Sequence, residues 1–482
     1  MASALRDDSE LKTQLRSRFV GKTLREAPTP AIILDLAKLE LNCERMLEAT
    51  ERLGLLWRAH IKSHKTTELA RLQVGDTRTT PVSLIVSTIT EAEKTLPLLQ
   101  EYKSHGRAVN VLFSFPLLPS HIPRLVAFES ALGPGSLTLM IDHPAQLDAI
   151  VSASVPFPHP PGVFLKIDTS YGRAGVAPGT PACSDLISAA LDTEARGLCR
   201  LHGLYSHAGH SYGARHGPAD VLTYLATEFR GLASVVADNA TIRGRYREGE
   251  EKLVLSVGAT PTATVVQQLG LLTGSEGAAG GGGGVEDKMG EVEQLVADLK
   301  GQGYALEVHA GVYPTLDLQQ LATHARDTSL MTADDIAISV LAEVASIYHG
   351  RGANGTTEVL VNAGTLALGR EPVADKGEVP GQDYHGWGFV MPWGLNNPVP
   401  GPDFPRVHDG WQVGRISQEH GILTWQGKKE DQVPLSYGQR VRIWPNHSCI
   451  AGACFDWYLI VDSRNKGRED EIIDVWPRWR GW

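Results

Sequence analysis

The feature that most constrains this chain is a repeated alternation between residue 30 and about residue 313. Short apolar, β-branched runs alternate there with longer segments of helical pattern. Repeated β–α units are typical of a parallel sheet, and about eight such strands favour a closed (β/α)8 barrel over an open sheet. The strand candidates are Ala31 to Leu34, Trp57 to Ile61, Leu84 to Ser87, Val109 to Phe113, Leu137 to Ile141, Val163 to Ile167, Gly203 to Ser206, Leu253 to Val257 and Leu306 to His309.

After about residue 335 the pattern changes to short alternating runs separated by Gly, Pro, Asn and Asp. Such runs are typical of an all-β domain. We therefore predict an N-terminal extension at 1–29 that packs on the β-domain, a TIM barrel at 30–330 and a β-domain at 331–482. Within the barrel, the Gly-rich stretch 274–290 has no apolar stripe and predicts a flexible surface insertion.

Composition argues against several classes of function. With 55 acidic and 45 basic residues, the 482-residue chain has a formal net charge of −10 and no long basic run, so we expect no nucleic-acid partner. No stretch approaches the ~18 apolar residues that a membrane span needs, and the N-terminal sequence lacks a secretory signal, so we expect a cytoplasmic protein. Five cysteines are few and odd in number, which disfavours a disulfide framework.

Polar residues follow several predicted barrel strands, and barrel enzymes place their chemistry at these strand ends. The segment WRAHIKSHK at 57–65 gathers basic and imidazole groups at one of them. Beside the apolar Ile61, the amine of Lys62 can be desolvated enough to act as a neutral nucleophile. The residues alone leave a solvated basic strand end as an equal alternative.

Several motifs follow one another along the chain. They are TPAIILDLAKLELNCERM, RAHIKSHKT, KIDTSYGRAGV at 166–176, LYSHAGHSY at 204–212, SVGATPT at 256–262, SQEHG at 417–421 and PNHSC at 445–449. In this order they resemble the D-serine dehydratase-like branch of the alanine racemase-like, fold-type III pyridoxal-phosphate (PLP) enzymes. The resemblance implies that Lys62 forms a Schiff base with PLP, with Lys65 as the second candidate. Ala59 replaces the usual proline, a difference that affects strand geometry more than chemistry.

The resemblance also implies a set of cofactor-binding residues beside Lys62. They are Arg173, His207, Tyr212, Gly258, Ala259, Thr260 and Tyr313. A guanidinium at Arg173, in a Gly-flanked turn, suits a hydrogen bond to the phenolic oxygen or ring nitrogen of the cofactor. The amides of Gly258 and Ala259 with the Thr260 hydroxyl suit a phosphate. Each of these residues is, by itself, also consistent with a structural role.

PNHSC is the most discriminating motif. Histidine and cysteine two residues apart in an extended chain point to the same side, so an imidazole and a thiolate can meet one ion, and this pair suits zinc. By spacing alone, His447 and Cys449 are more often a chance pair, because a closed structural site needs four ligands. The resemblance implies an open, catalytic zinc site, and Cys449 in place of the aspartate typical of the D-threonine aldolase branch favours the dehydratase branch.

The resemblance implies a PLP- and zinc-dependent dehydratase, an ammonia-lyase that converts D-serine or a related β-hydroxy D-amino acid to a keto acid and ammonia. For D-serine the keto acid is pyruvate. Retro-aldol cleavage of D-threonine-like substrates, dehydration of 3-hydroxyaspartate and a non-catalytic role as a PLP carrier stay open as alternatives. The resemblance further implies a homodimer.

Overall fold

The computed structural model describes residues 8–214, 217–243, 252–270, 283–374, 379 and 381–482. The chain divides into two compact units. The β-unit comprises Met1–Glu44 and Val312–Trp479, and the barrel unit comprises Arg45–Gly311 and Arg480–Trp482. The barrel unit is therefore inserted into the sequence of the β-unit. This division differs from the predicted boundaries at residues 30 and 330, which follow the change in sequence pattern.

Among the described residues, seventeen strands are formed. They are β1 (Ala31–Asp35), β2 (Leu56–His60), β3 (Val82–Val86), β4 (Val109–Phe113), β5 (Leu137–Ile141), β6 (Gly162–Lys166), β7 (Arg200–Tyr205), β8 (Val254–Val257), β9 (Ala305–Ala310), β10 (Ile338–Tyr348), β11 (Glu358–Val361), β12 (Gly388–Val390), β13 (Gly410–Ile416), β14 (Gly421–Gln426), β15 (Arg440–Pro445), β16 (Trp457–Val461) and β17 (Asp474–Pro477). Strands β2 to β9 pair in parallel, and β2 pairs with β9, which closes an eight-stranded barrel. The predicted barrel is confirmed.

Helices follow most of the barrel strands. The described α-helices are Asp8–Phe19, Leu36–Arg52, Thr67–Val74, Ile89–Ser104, Ile122–Leu132, Pro144–Val151, Pro181–Ala195, Pro218–Asp238, Thr260–Thr264, Gly283–Gly301, Leu318–Ala322, Thr365–Leu368 and Ser448–Ala453. The described 3-10 helices are Pro119–His121, Gly209–Gly213, Val265–Gln268, Ala333–Asp335, Ala353–Gly355 and Lys429–Asp431. In this part of the chain no helix combines the length and apolar character that a membrane span needs.

Threonine side chains set where several barrel helices begin. Thr66, Thr88 and Thr180 each precede a helix, and each side-chain oxygen accepts an amide of the first turn. Such a cap satisfies a backbone donor that would otherwise lack an intrahelical partner. The loop before each helix, where the candidate site residues lie, therefore has a defined end.

The first strand was expected in the barrel, and this expectation is wrong. Strand β1 pairs antiparallel with β10 and parallel with β16, both in the β-unit. All of its residues are buried. A short apolar run that is buried on both faces has the same pattern in a barrel and in the middle of a mixed sheet, so periodicity does not separate the two.

The strands of the β-unit form a nine-stranded sheet in the order β11-β14-β13-β12-β15-β10-β1-β16-β17. Strand β11 also pairs with β10, so β10 to β15 are connected in a ring. Trp411 and Trp425 meet edge to face in the core of these strands, with 5.7 Å between their ring centroids. Burial of such large aromatic side chains stabilises the sheet. The predicted C-terminal β-domain is confirmed.

The N-terminal segment is part of the β-unit. Leu15, Phe19 and Leu24 share a core cluster with Leu341 and Leu459 of the sheet. The apolar side chains of helix Asp8–Phe19 are thus covered by sheet residues that come much later in the chain.

The Gly-rich stretch 274–290, predicted as a flexible surface insertion, is described by the structure only from residue 283 onward. Residues 274–282 lie outside the described part of the chain. From residue 283 the chain is helical, as the start of helix Gly283–Gly301, so the flexible insertion is wrong for 283–290. Good helix formers after residue 284, such as Glu286, Lys288 and Met289, explain the helix despite the neighbouring glycines.

Candidate active site

The two lysines of the WRAHIKSHK segment have different surroundings. Lys62 is half-buried and lies two residues beyond the end of β2. Lys65 has a left-handed backbone with φ of 53° and places its Nζ 2.9 Å from Glu91 Oε1. Lys65 therefore forms an ion pair with a buried carboxylate. The assignment of Lys62, and not Lys65, as the amine that reacts stays a prediction.

His60, the last residue of β2, is a neutral group next to Lys62. Its Nδ1 accepts the Lys62 backbone N–H at 3.4 Å, and its Nε2 lies 3.2 Å from the Ser87 hydroxyl. Burial is the largest cause that holds the pKa of His60 well below its ordinary value, and the charge of Lys62 and the imidazole of His309 act in the same direction. The imidazole therefore contacts the lysine loop without adding to its positive charge.

Lys166 is a buried cation that the sequence analysis missed. It ends β6, is 7% exposed and places its Nζ 4.8 Å from the centroid of the Tyr205 ring. Burial, and then the positive charges of Arg173 and Lys62, lower the pKa of Lys166 to about 8. The signal that was available is its position at the end of a predicted strand, within KIDTSYGR.

Arg173 lies in a loop that Asp168 organises. The Asp168 carboxylate accepts the amides of Tyr171 and Gly172 at 2.8 and 3.0 Å. Arg173 is exposed, and its guanidinium lies over the Tyr171 ring at 5.1 Å from the centroid. Its charge contributes to the lowered pKa of Lys166, so the two cations share one electrostatic environment.

His207 is held by a hydrogen bond to the backbone. Its Nδ1 lies 2.7 Å from the Gly258 carbonyl oxygen, so Nδ1 carries the proton and donates it. Burial is the largest cause that keeps the pKa of His207 well below its ordinary value, and the charges of Arg173 and Lys62 lower it further. A neutral ring with this tautomer presents Nε2 as a hydrogen-bond acceptor.

Tyr212 lies in the 3-10 helix Gly209–Gly213 and is half-buried. In the same turn, the His210 ring contacts Tyr171 and Tyr224, with centroid distances of 5.8 and 4.6 Å. The contact with Tyr171 links this turn to the loop that carries Arg173.

Gly258 follows β8 in a backbone conformation that favours glycine, with φ of 147°. A Cβ at this position would lie 2.3 Å from the His309 carbonyl oxygen. The Gly258 amide donates to Glu228 Oε1 at 3.3 Å. The Ala259 amide donates to Thr262 Oγ1 at 2.8 Å. Both amides predicted to bind a phosphate thus have acceptors within the protein, which a phosphate would have to replace.

Glu228, in helix Pro218–Asp238, is a second group that the sequence analysis missed. It is 1% exposed, and its Oε1 accepts the Ser206 hydroxyl at 3.0 Å. Burial raises the pKa of Glu228 to about 7, although hydrogen bonds from Ser206 and the Gly258 amide act in the opposite direction. Thr260, the third residue of the predicted phosphate turn, is also buried, at 3% exposed.

The barrel unit also contains a buried ion pair. Arg58 Nε lies 2.8 Å from Glu307 Oε1, and both side chains are 2% exposed. The Ser256 hydroxyl donates to Glu307 Oε1 at 2.7 Å and lies 3.0 Å from His309 Nδ1. The His309 ring stacks on Tyr205 at 4.2 Å between centroids. This network joins β2, β8 and β9 and fixes the orientation of the rings near Lys166.

Tyr313 belongs to the β-unit, although it lies three residues after β9. It is 1% exposed and lies next to the Cys43 side chain. The remaining residues of the predicted PLP set, from Lys62 to Thr260, belong to the barrel unit. The role of Tyr313 toward the cofactor stays a prediction.

In the β-unit, His447 and Cys449 lie at the start of helix Ser448–Ala453, directly after β15. The His447 imidazole hydrogen-bonds the Cys449 side chain. Burial lowers the pKa of His447, but the charge and hydrogen bond of Cys449, together with the charge of Asp317, outweigh burial and raise it to about 9. Two donor groups of the types that zinc prefers therefore meet at this point.

Residues 315–320 anchor the PNHSC segment. The Ser448 amide donates to Asp317 Oδ2 at 2.8 Å, and the Thr315 hydroxyl donates to Ser448 Oγ at 3.1 Å. Gln319 Oε1 lies 2.6 Å from His447 Nδ1, across 128 positions of sequence. Sequence reasoning missed Asp317 and Gln319 because no motif connects them to PNHSC.

The donor set fits a metal site with open positions. Within the described ranges, no group of three or more His, Cys, Asp or Glu side chains is arranged to hold a metal ion. His447 and Cys449 would supply two ligands, and water or substrate oxygen would complete the coordination. A thiolate beside an imidazole is chemically suited to zinc.

Two family models match the sequence. The model of the alanine racemase N-terminal domain matches residues 34–267, which include Lys62. The model of the serine dehydratase domain matches residues 337–461, which include His447 and Cys449.

The chain is also similar to characterised proteins over nearly its whole length. It is 37% identical to the D-serine dehydratase of Schizosaccharomyces pombe, covering 98% of this chain and 96% of that protein. The structure of D-threo-3-hydroxyaspartate dehydratase from Delftia sp. HT23 has 26% sequence identity and a TM-score of 0.67, covering 96% of this chain and 100% of that one. A cysteine-to-alanine variant of D-threo-3-hydroxyaspartate dehydratase, described as the metal-free form, aligns with the same identity of 26% and TM-score of 0.67, covering 96% of this chain and 100% of that one.

Proposed function

This chain belongs to the D-serine dehydratase family of PLP-dependent lyases, and we propose that it is a PLP- and zinc-dependent dehydratase of D-serine. The products would be pyruvate and ammonia. The observation that carries the proposal is the meeting of His447 and Cys449 at one point of the β-unit. Hydroxide is a poor leaving group, and a zinc ion on this pair would assist its departure as a Lewis acid.

Lys62 would hold PLP, and the other candidates would bind its polar groups. These candidates are Arg173, His207, Tyr212, Gly258, Ala259, Thr260 and Tyr313. When bound, PLP supplies an electron sink for the charge that develops at the substrate Cα. The amine of Lys62 removes the α-proton as a general base.

The charges of the barrel unit fit an anionic cofactor. Lys62, Lys166 and Arg173 share one electrostatic environment, and the phosphate and phenolic oxygen of PLP carry the opposite charge. In addition, His309 Nε2 is buried without a hydrogen-bond partner among the described residues. A polar cofactor group near this ring would satisfy it.

His447 and Cys449 would hold zinc through an imidazole nitrogen and a thiolate. The contribution of the chain is to keep these two donors at a fixed separation, because Asp317 and Thr315 hold Ser448 between them. A cysteine-to-alanine variant of the related D-threo-3-hydroxyaspartate dehydratase is described as a metal-free form. That description supports metal binding in this family of enzymes.

A second substrate, D-threo-3-hydroxyaspartate, is favoured by one observation. The aligned relative from Delftia is a dehydratase of that amino acid, which also carries a hydroxyl on Cβ. The same lysine and metal chemistry would serve both substrates. The ratio of the two kcat/KM values decides which one this enzyme prefers.

The test incubates the purified protein with D-serine, L-serine, D-threonine and D-threo-3-hydroxyaspartate, before and after chelation and zinc readdition. Pyruvate, oxaloacetate, ammonia and glycine are assayed. Zinc-dependent pyruvate from D-serine, without turnover of L-serine, is the expected result. Glycine from D-threonine would assign an aldolase instead. Bound PLP without turnover of any of these substrates would overturn the dehydratase and leave the PLP carrier.

We further propose a cytoplasmic homodimer, on the basis of the family resemblance. Light scattering of the purified protein should give about twice the chain mass of 52.1 kDa. A mass equal to that of a single chain would contradict the dimer. Cell fractionation tests the compartment.

A further inference from the structure

We propose that Gln319 is a positioning residue that fixes the orientation and tautomer of His447 for a metal ion. The inference deepens the proposed function and rests on the zinc role of His447 and Cys449. Gln319 Oε1 lies 2.6 Å from His447 Nδ1. Gln319 therefore acts on the metal through the histidine, as the hydrogen-bond partner of its second ring nitrogen.

The surroundings of the Gln319 amide decide which way it points. Its Nε2 donates to the Pro372 carbonyl oxygen at 3.4 Å. The other end of the amide, Oε1, therefore faces His447. Because a carbonyl oxygen only accepts hydrogen bonds, His447 Nδ1 carries the proton in this contact. On binding a metal ion, the imidazole would then keep the Nδ1 proton and offer the lone pair of Nε2.

The main chain of Gln319 holds the same segment. Its backbone N–H donates at 3.0 Å to the carbonyl of Asn446, the residue before His447. The Asn446 side chain is in turn fixed, because its Nδ2 donates to the carbonyls of Glu371 and Gly386 at 2.9 and 2.8 Å. A side-chain substitution at position 319 thus removes the contact with the imidazole and leaves the backbone bond in place.

Asp317, the carboxylate nearby, has a different task. Its Oδ2 is 4.0 Å from His447 Nδ1, which is beyond hydrogen-bond distance. Its two oxygens instead accept the amides of Ser448 and Gln320, each at 2.8 Å. Asp317 supplies negative charge and anchors the backbone, whereas Gln319 supplies the directed hydrogen bond to the imidazole.

The affinity for zinc tests this role without any assay of activity. Competition with a chromophoric chelator is measured for the wild type, Gln319→Leu and Gln319→Glu. Leucine has a similar volume but cannot accept a hydrogen bond, so we expect roughly 10- to 100-fold weaker zinc binding. Glutamate keeps an acceptor and adds negative charge, so this variant should bind zinc at least as tightly as the wild type.

A matched control is available in the same unit. Gln432 is a half-buried glutamine whose amide bonds the backbone N–H and carbonyl of Thr357, each at 2.9 Å. Gln432→Leu removes a comparable pair of hydrogen bonds from a glutamine that does not contact the histidine. Its zinc affinity should equal that of the wild type.

Cobalt(II) in place of zinc gives a second readout. The sulfur-to-cobalt absorbance reports ligation by Cys449, and the d–d bands report the geometry around the ion. In Gln319→Leu the sulfur band should persist while the d–d bands shift, because only the imidazole loses the hydrogen bond that orients it. Unchanged d–d bands in this variant would contradict a positioning role.

The outcomes separate the two levels of the argument. A wild-type protein that binds no zinc would overturn the proposed function, and this inference with it. A wild type that binds zinc, with Gln319→Leu binding it equally well, would overturn the inference alone. If Gln319→Leu fails to fold by circular dichroism, Gln319→Asn decides, because its shorter amide withdraws the oxygen from His447. Unchanged zinc affinity in that variant would overturn the inference.

Discussion

The histidines of the two candidate sites have pKa values that are shifted in opposite directions. In the barrel unit, burial and neighbouring positive charges keep the pKa values of His60, His207 and His309 well below the ordinary value. In the β-unit, burial acts in the same direction on His447, but interactions led by Cys449 outweigh it and raise the pKa to about 9. Burial alone therefore does not decide the charge of a histidine, because the sign of its neighbours can reverse the outcome.

This difference indicates what each site is suited to bind. The barrel unit combines several cations with neutral imidazoles, an arrangement that attracts an anion. The β-unit places a sulfur and a carboxylate near one imidazole, an arrangement that attracts a cation. Each site is thus complementary to the group proposed for it.

The largest expected effect concerns Lys62. Lys62→Ala should abolish the visible absorbance of bound PLP and lower kcat with D-serine by at least about 10³-fold, because it removes the proposed base. Lys65→Arg, which keeps the ion pair with Glu91, is the control and should retain the absorbance. A PLP absorbance band that persists in Lys62→Ala would contradict the role proposed for Lys62 in the barrel unit.

Removal of the metal tests the β-unit. Cys449→Ala, or chelation of the wild type, should lower turnover of D-serine by roughly 10²- to 10³-fold, because a Lewis acid contributes several kcal/mol to such a step. The absorbance of bound PLP should remain. Cys454→Ala, which changes an exposed thiol nearby, should alter neither quantity. Full activity in protein shown to be free of metal would refute the zinc role.

The buried ion pair of the barrel unit should contribute measurably to the free energy of unfolding. Glu307→Gln leaves the guanidinium of Arg58 buried without its counter-charge, so the free energy of unfolding should fall by about 3–5 kcal/mol. The partly exposed pair of Arg124 and Glu93 is the reference, and Glu93→Gln should cost about 1 kcal/mol or less. Urea titrations followed by circular dichroism measure both. Equal losses would show that the two pairs do not differ in burial as described.

The smallest effect is a dependence of stability on pH. The pKa of Lys166 falls from 10.5 to about 8 in the folded chain, so its charge destabilises the folded state below pH 8. This cost disappears as the pH rises from 8 to 10.5, where the unfolded chain binds more protons than the folded chain. The free energy of unfolding of Lys166→Met, measured by urea titration, should therefore exceed that of the wild type at pH 7 by about 3 kcal/mol, with a smaller difference at pH 10. Lys22→Met, at an exposed site, should show no such trend.

The fold was predictable where one local rule repeats. Strands β2 to β9 each follow from a short apolar run between helix-patterned segments, because parallel barrel strands are buried on both faces. Strand β1 obeys the same local rule and lies elsewhere, since its partners come from residues as distant as Val461, opposite Asp35. The local sequence pattern indicates that a strand is buried, but it does not indicate which strands pair with it.

The candidate site was predictable where its residues share a motif, as Lys62 and His447 do with their neighbours. Lys166, Glu228 and Gln319 were missed because their properties come from burial and from distant contacts. The hydrogen bond between Gln319 and His447, for example, spans 128 positions. The roles assigned to Lys62 and His447 remain predictions for the experiments above.

The place of β1 in the chain has a consequence for protein synthesis. Strand β1 leaves the ribosome early, whereas the strands on either side of it, β10 and β16, begin at Ile338 and Trp457. At ~5–20 residues per second, the ribosome needs on the order of tens of seconds to reach β10. During that interval β1 is a hydrophobic segment without the strands that pair with its two edges. Chaperones bind such segments, and other chains can pair with them and aggregate. Termination of translation within the barrel would release a chain in which β1 is complete and neither of its flanking strands has been made.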